Sequence, residues 1–272
     1  MRHRRAQALS DGHFVATSTP ALTVDIAGRR WRVGAQGADI SIPLEFDAPQ
    51  PTFFGASPAA ATVVSAGSFV GDVQRGGSCN CSTYTFTPHC NGTHTECVGH
   101  VTAERLSVRD LSSEHFNAAL LVSIEATTVI RRTALAEAVA PHELHHYRAL
   151  VVRTLPNTRE KLQRNYDRAP AAYFDAESMH WIVGNGITTL VVDLPSLDRG
   201  DDPHLTAHRI FWGLPPGATA AAQAARPNAT VTELAFIDDS IVDGQYLLNL
   251  QVAPFVADAA PSRPILLPLT PA

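Results

Sequence analysis

The sequence predicts one α/β or α+β domain built on a mixed β-sheet, and three observations support that class. Strand-like and helix-like segments alternate along the chain. A hydrophobic share of 45% with 17% charged residues suits a globular protein rather than a disordered one. At 272 residues the chain can bury a large core. The expected organisation is a flexible N-terminal tail over residues 1–20 and a single domain over residues 21–272.

Each element has a local reason. Residues 22–26 and 31–33 flank Gly28 as a short hairpin, and residues 40–46 continue as a strand. The Pro/Ala-rich stretch 53–66 reads as loop plus strand. Residues 82–87 alternate Thr, Tyr and Phe as a strand does. Residues 120–129 are apolar and β-branched enough for a buried strand, 134–144 are helix-prone, and 150–153 form another strand. Asp175-Ala176-Glu177-Ser178 can cap a helix running to about Val183, closed by Gly184 and Gly186. Residues 188–194 then read as a buried strand ending in the Pro195-Ser196 turn, and 204–211 as a helix. Residues 246–252 and 265–269 complete the sheet. The aromatics Trp31, Phe53, Phe54 and Trp212 fit core or satellite packing better than an entrance or a subunit contact.

Chemistry concentrates in Cys90-Asn91-Gly92-Thr93-His94-Thr95-Glu96-Cys97-Val98-Gly99-His100. If this stretch is extended, Cys90, His94, Glu96 and His100 fall on alternate positions and face one side. Gly92 lets the backbone turn or approach a ligand closely. Thiolate, imidazole and carboxylate are the groups that hold divalent transition metals, so the shared side reads as a metal-binding face.

The Gly92-Thr93-His94-x-Glu96-x-x-x-His100 pattern resembles the signature of the cyclase family of metal-dependent hydrolases, which includes kynurenine formamidases and isatin hydrolases. The family pattern reads His-x-Gly-Thr-His-x-Asp-x-Pro-x-His. Here Cys90 stands where its first His is expected, Glu96 replaces Asp and Val98 replaces Pro. Either Cys90 takes over as ligand or a local bulge brings the neighbouring His89 into place. Further matches run along residues 35–269. Asp39-Ile40-Ser41-Ile42-Pro43-Leu44 resembles the family's opening strand, and residues 148–154 resemble a later one. Gly186 to Asp198 resembles Gly-Ile-x-x-x-Gly-x-Asp-x-Pro-Ser-x-Asp, with Val191 for the second Gly.

The resemblance implies the swivelling β/β/α cyclase-like fold and a homodimer. It also implies one or two divalent ions, zinc first and manganese second, because a Cys90 thiolate favours zinc. One ion would be held by Cys90, His94 and Glu96, with Glu96 bridging to a second held by His208 and Glu233. Residues 214–230, rich in Ala, Pro and Gly, separate that last pair as an unusual insertion. The implied reaction is attack of metal-activated water on a formamide, amide or lactam C–N bond, with His100 as catalytic proton carrier. The alternative is a catalytically altered binding or regulatory protein on the same scaffold.

Other features narrow the class. A net charge of −5 argues against a nucleic-acid surface, leaving a small-molecule substrate as the expected partner. Arg2, His3, Arg4 and Arg5 lack a following apolar run, so neither a signal peptide nor a membrane helix is expected and the cytoplasm is the default location. The cysteines lack Cys-x-x-Cys knuckles; the expectation is Cys90 as ligand, Cys97 packed behind the metal face, and Cys79 and Cys81 as small apolar residues in the preceding strand. His142-Glu143-x-x-His146 matches the zincin pattern. Pro141 and the strand-like residues 149–152 leave no long helix to carry it.

Overall fold

The structure is a computed structural model that describes residues 22–111, 115–126 and 128–272; the tail expected over residues 1–20 lies outside them. Its core is a closed mixed barrel of seven strands. Phe116–Glu125, Ala149–Leu155, Thr189–Val192 and Thr230–Glu233 run parallel in that order. The short His94–Glu96 strand joins antiparallel to Thr230–Glu233 and also to Ala259–Pro271. Gly244–Val252 pairs antiparallel with Ala259–Pro271 and with Phe116–Glu125, which closes the ring.

Parallel neighbours need crossover connections, and the helices Arg132–Val139, Ala176–Gly184 and Thr206–Trp212 lie within them. The parallel strands are buried on both faces, with strict alternation between two cores. Leu120, Val122, Leu150, Val152, Leu190 and Val192 pack with Leu135, Met179, Ile182, Phe211 and Trp212 of the helices. Ala119, Leu121, Ala149, Val151 and Val191 turn the other way, toward Leu248 and Leu266. Each fully buried side chain of this size contributes about 1.5–3 kcal/mol over an exposed one.

Thr23–Ile26 and Arg29–Val33 pair as the expected hairpin, turning on Ala27 and Gly28 at φ 53° and 73°. Asp175 caps its helix by accepting from the Ser178 N–H at 2.8 Å. Two elements are shorter than expected. Residues 40–46 make only a Ser41–Ala235 bridge beyond the Ala38–Asp39 strand, since Pro43 has no N–H for a ladder. The helix over 134–144 stops at Val139 ahead of Pro141, and Leu144–His146 is a separate 3₁₀ turn. Trp212 and Phe53 are core residues, Trp31 is half-buried and Phe54 is exposed.

Candidate metal centre

The single extended face expected over residues 90–100 does not form. Pro88–Asn91 is a helical turn, His94–Glu96 the short strand, and Val98–Val101 a 3₁₀ turn. Pro88 favours that first turn because its fixed φ and missing N–H suit a helix start. A helical turn swings consecutive side chains by about 100°. His89 consequently reaches the Glu96 carboxylate, with Nδ1 3.1 Å from Oε2, whereas Cys90 belongs to none of the clusters of candidate ligand atoms among the described residues. Burial, with the charges of Asp167 and Glu233, pushes the Cys90 thiol up to about 11. Cys90 is buried outside both candidate groups at this centre, so the preference for zinc that rested on its thiolate has no support in this geometry.

His94 and Glu96 do share a side, two residues apart on one strand. Register brings in the rest. His94 lies opposite Glu233, the last residue of its strand, and Glu96 lies opposite Val231 and Ala259. Thr93 locks this arrangement: its hydroxyl donates to the Leu234 carbonyl at 2.5 Å and accepts from the Ile42 N–H at 2.7 Å. His208 arrives from the Thr206–Trp212 helix, whose first turn is held by the Asp198 carboxylate accepting from the Ala207 N–H at 2.5 Å and the His208 N–H at 3.2 Å. His208 Nε2 then stands 2.9 Å from Glu96 Oε1 and 3.3 Å from Glu233 Oε1, and His94 Nε2 stands 3.5 Å from Glu233 Oε2.

Two candidate ligand groups result, His89–His94–Glu96 and Glu96–His208–Glu233, each with donor atoms within 4.8 Å of one another. Glu96 belongs to both. Four buried atoms, His94 Nε2, His208 Nε2 and both Glu96 oxygens, make no hydrogen bond despite these close approaches. Buried polar atoms are rarely left unpaired, so their convergence fits a cation.

The outward nitrogens of the three imidazoles strengthen that fit. His94 Nδ1 is 3.0 Å from the Gly92 carbonyl, His208 Nδ1 is 2.5 Å from Asp198, and His89 Nε2 is 3.0 Å from Asp258. Each of those nitrogens must carry the proton to donate to an oxygen. That leaves the lone pair of the other nitrogen facing the carboxylates, which is how metal-bound histidines are held.

Without a cation the charges compensate one another. Burial lowers the His89 imidazolium, but the neighbouring Asp258 and Glu96 carboxylates outweigh it and raise the pKa to about 10. Burial likewise opposes a charged His208, and Glu96 and Asp198 outweigh it. Burial pushes Glu96 up, yet the His100 and His208 charges hold it well below the carboxylate range. Glu233 sits lower than usual because His208 and His94 overcome burial and the Glu96 charge.

His100 stands at the open side. Its Nε2 is 3.8 Å from Glu96 Oε2 and its Nδ1 is 3.4 Å from Asp258 Oδ2. The His89, His100 and Asp258 side chains retain 23%, 26% and 30% exposure, while His94 and Glu96 have none, so access is from this side. Asp258 carried no sequence signal, lying far along the chain from the motif. Asp198 was visible only as the end of the Gly186 to Asp198 pattern, with no role attached.

Cys97 is fully buried beside Val108 and Ala260, behind the cluster. Cys79 and Cys81 are exposed, which corrects their expected packing in a strand; the strand begins only at Ser82. His142 and His146 do not share a helix, because only Leu144–His146 forms a turn there. Among the described residues no helix is long and apolar enough to cross a membrane.

The chain is similar to known proteins in sequence and in fold. The Cyclase family model, described as "Putative cyclase", matches residues 38–199, more than half of the chain. Kynurenine formamidase of Bordetella pertussis is 24% identical over 189 residues, covering 69% of this chain and 80% of that protein. Isatin hydrolase A from Labrenzia aggregata, solved bound to benzyl benzoate, superposes with a TM-score of 0.61 at 12% identity, covering 85% of this chain and 93% of that one. A predicted metal-dependent hydrolase from Bacillus stearothermophilus superposes with a TM-score of 0.56 at 15% identity, covering 85% and 98%.

Proposed function

As the chain belongs to the cyclase family, we propose that it is a metal-dependent hydrolase of the C–N bond in a formamide, amide or lactam. The observation that carries this reading is the convergence of four unpaired buried donor atoms between two ligand groups that share Glu96. His89, His94 and Glu96 would hold one ion, and Glu96, His208 and Glu233 a second. Zinc and manganese both accept such imidazole and carboxylate donors. A bound divalent ion lowers the pKa of water from about 15.7 to about 7 and polarises a carbonyl.

The chain's own residues supply the remainder. Substrate enters beside His89, His100 and Asp258, the half-exposed edge of an otherwise buried cluster. His100 Nε2 faces the Glu96 carboxylate at 3.8 Å and takes the proton of the attacking water as the C–O bond forms. It returns that proton to the leaving nitrogen as the C–N bond breaks, so acid and amine leave with His100 restored. The likeness to a kynurenine formamidase and to isatin hydrolases supports a formamide or lactam adjoining an aromatic ring. The complete set of converging donors favours catalysis over a binding-only role, since the loss of metal ligands that role presupposes is supplied here by His89.

The test is turnover of an aryl formamide, an arylamide and a benzo-fused lactam by chelated protein, before and after adding zinc or manganese. Turnover of at least one only after metal is restored is expected. His100→Gln should keep its metal and lose kcat by about 10²–10⁴-fold. Undiminished turnover in chelator, or no turnover of any of them with either metal, defeats the reading.

A further inference from the structure

We infer that Asp258 is a positioning residue that fixes a metal ligand and the proton carrier together through one carboxylate. This rests on the hydrolase reading above and names a residue that reading leaves without a role. Asp258 Oδ2 lies 3.0 Å from His89 Nε2 and 3.4 Å from His100 Nδ1. The two rings it faces are stacked, with centroids 4.2 Å apart and planes at 30°.

The backbone explains why the carboxylate is there. The Asp258 carbonyl accepts the Cys97 N–H at 3.0 Å, and the next residue, Ala259, pairs directly with Glu96. The C-terminal side of Asp258 is thereby tied to the motif that carries Glu96 and His100, and the Ala257 carbonyl before it accepts the Val108 N–H at 2.9 Å. The side chain extends from this anchor to the outward nitrogens of both imidazoles.

One acceptor then sets two tautomers. Accepting from His89 Nε2–H leaves the His89 Nδ1 lone pair on Glu96, the geometry of a ligand. Facing His100 Nδ1 at 3.4 Å, the same carboxylate draws the ring proton to Nδ1 and leaves the Nε2 lone pair on the side of Glu96, the geometry of a base. When His100 takes a proton at Nε2, the imidazolium is formed beside a carboxylate that keeps its own charge. Asp258, His89 and His100 could themselves enclose a cation. A cation on His89 Nε2 would place the proton on Nδ1 against Glu96 and remove His89 from the buried group, so the two uses exclude each other.

The experiment compares wild type, Asp258→Asn, Asp258→Ala, Asp258→Glu and His100→Ala, with the Asp258→Ala/His100→Ala double variant. Zinc content, zinc affinity by chelator competition, kcat and KM are measured. Asp258→Ala should weaken zinc affinity by about 10–100-fold and, at saturating zinc, lower kcat by about 10–100-fold with little change in KM. Asp258→Glu should recover part of both. In the His100→Ala background the same substitution should cost no further kcat while still weakening zinc, a non-additivity that a merely structural role would not produce. A kcat within about twofold of wild type at saturating zinc, additive losses in the double variant, or loss of a whole zinc equivalent on Asp258→Asn overturns the inference. Wild-type protein that binds zinc but turns over no substrate counts against the hydrolase reading alone, and the affinity arm then still decides the His89 half.

Discussion

Replacing Glu96 by Gln should remove both ions at once, whereas Glu233→Gln should remove one. Glu96 presents Oε2 to His89 at 3.1 Å and Oε1 to His208 at 2.9 Å, while Glu233 belongs only to the group with His208. An ion present at about 1,000 times its Kd stabilises the folded chain by about 4.1 kcal/mol per site. For a chain of this size each kcal/mol moves Tm by about 2 °C, giving about 8 °C for one ion and about 16 °C for two. The assay is thermal unfolding followed by circular dichroism with zinc and with chelator, beside elemental analysis of the same samples. Wild type should show the full shift, Glu233→Gln about half, and Glu96→Gln none. Equal shifts in the two variants would refute a shared ligand, and an undiminished shift in Glu96→Gln would refute the centre altogether.

Metal uptake should release protons, since His89 is protonated in the metal-free protein up to about pH 10 and must be neutral to bind. The sign follows: the raised folded pKa stabilises the metal-free chain below about 6.5, and that contribution is lost as pH rises through about 10, so zinc affinity should climb across the same window. Calorimetry in buffers of different ionisation enthalpy checks this, and a flat affinity with no proton release would contradict it. Away from the centre, Lys161→Met should destabilise the protein by about 3–5 kcal/mol, because it strands the buried Asp193 carboxylate that Lys161 Nζ meets at 2.7 Å. A Tm within about 2 °C of wild type would show the pair to be dispensable, and Lys161→Met/Asp193→Asn should recover part of the loss. Finally, a thiol reagent should modify Cys79 and Cys81 promptly in the folded protein, and Cys90 and Cys97 only on unfolding, given their burial and thiol values of about 11 and about 12. Prompt loss of Cys90 would reopen its role as a ligand.

Period-two and capping patterns are properties of neighbouring residues, and they were legible. The alternation of residues 82–87 and the apolar runs at 150–153 and 188–194 marked strands, and Asp175 marked its helix start. Within the motif, the two-residue spacing of His94 and Glu96 was enough to place both on one side of a strand. Reading that spacing back to Cys90 failed, because the helical turn begun by Pro88 replaces an alternation of faces with a rotation of about 100° per residue and turns His89 inward. His208 and Glu233 could be named from pattern, but their meeting with Glu96 depends on strand register and on the Asp198 cap across residues 198–208.

Local order along the chain thus dictated the class of fold, the strand that carries His94 and Glu96, and the types of donor available to a cation. Closure of the barrel brought the candidate ligands together, since it sets the Ala259–Pro271 strand against Glu96 and delivers Asp258 to His89 and His100 from more than 150 residues away. Spacing in sequence encodes direction only within one element, and a centre assembled from four elements exists only once pairing between strands has set the distances among them.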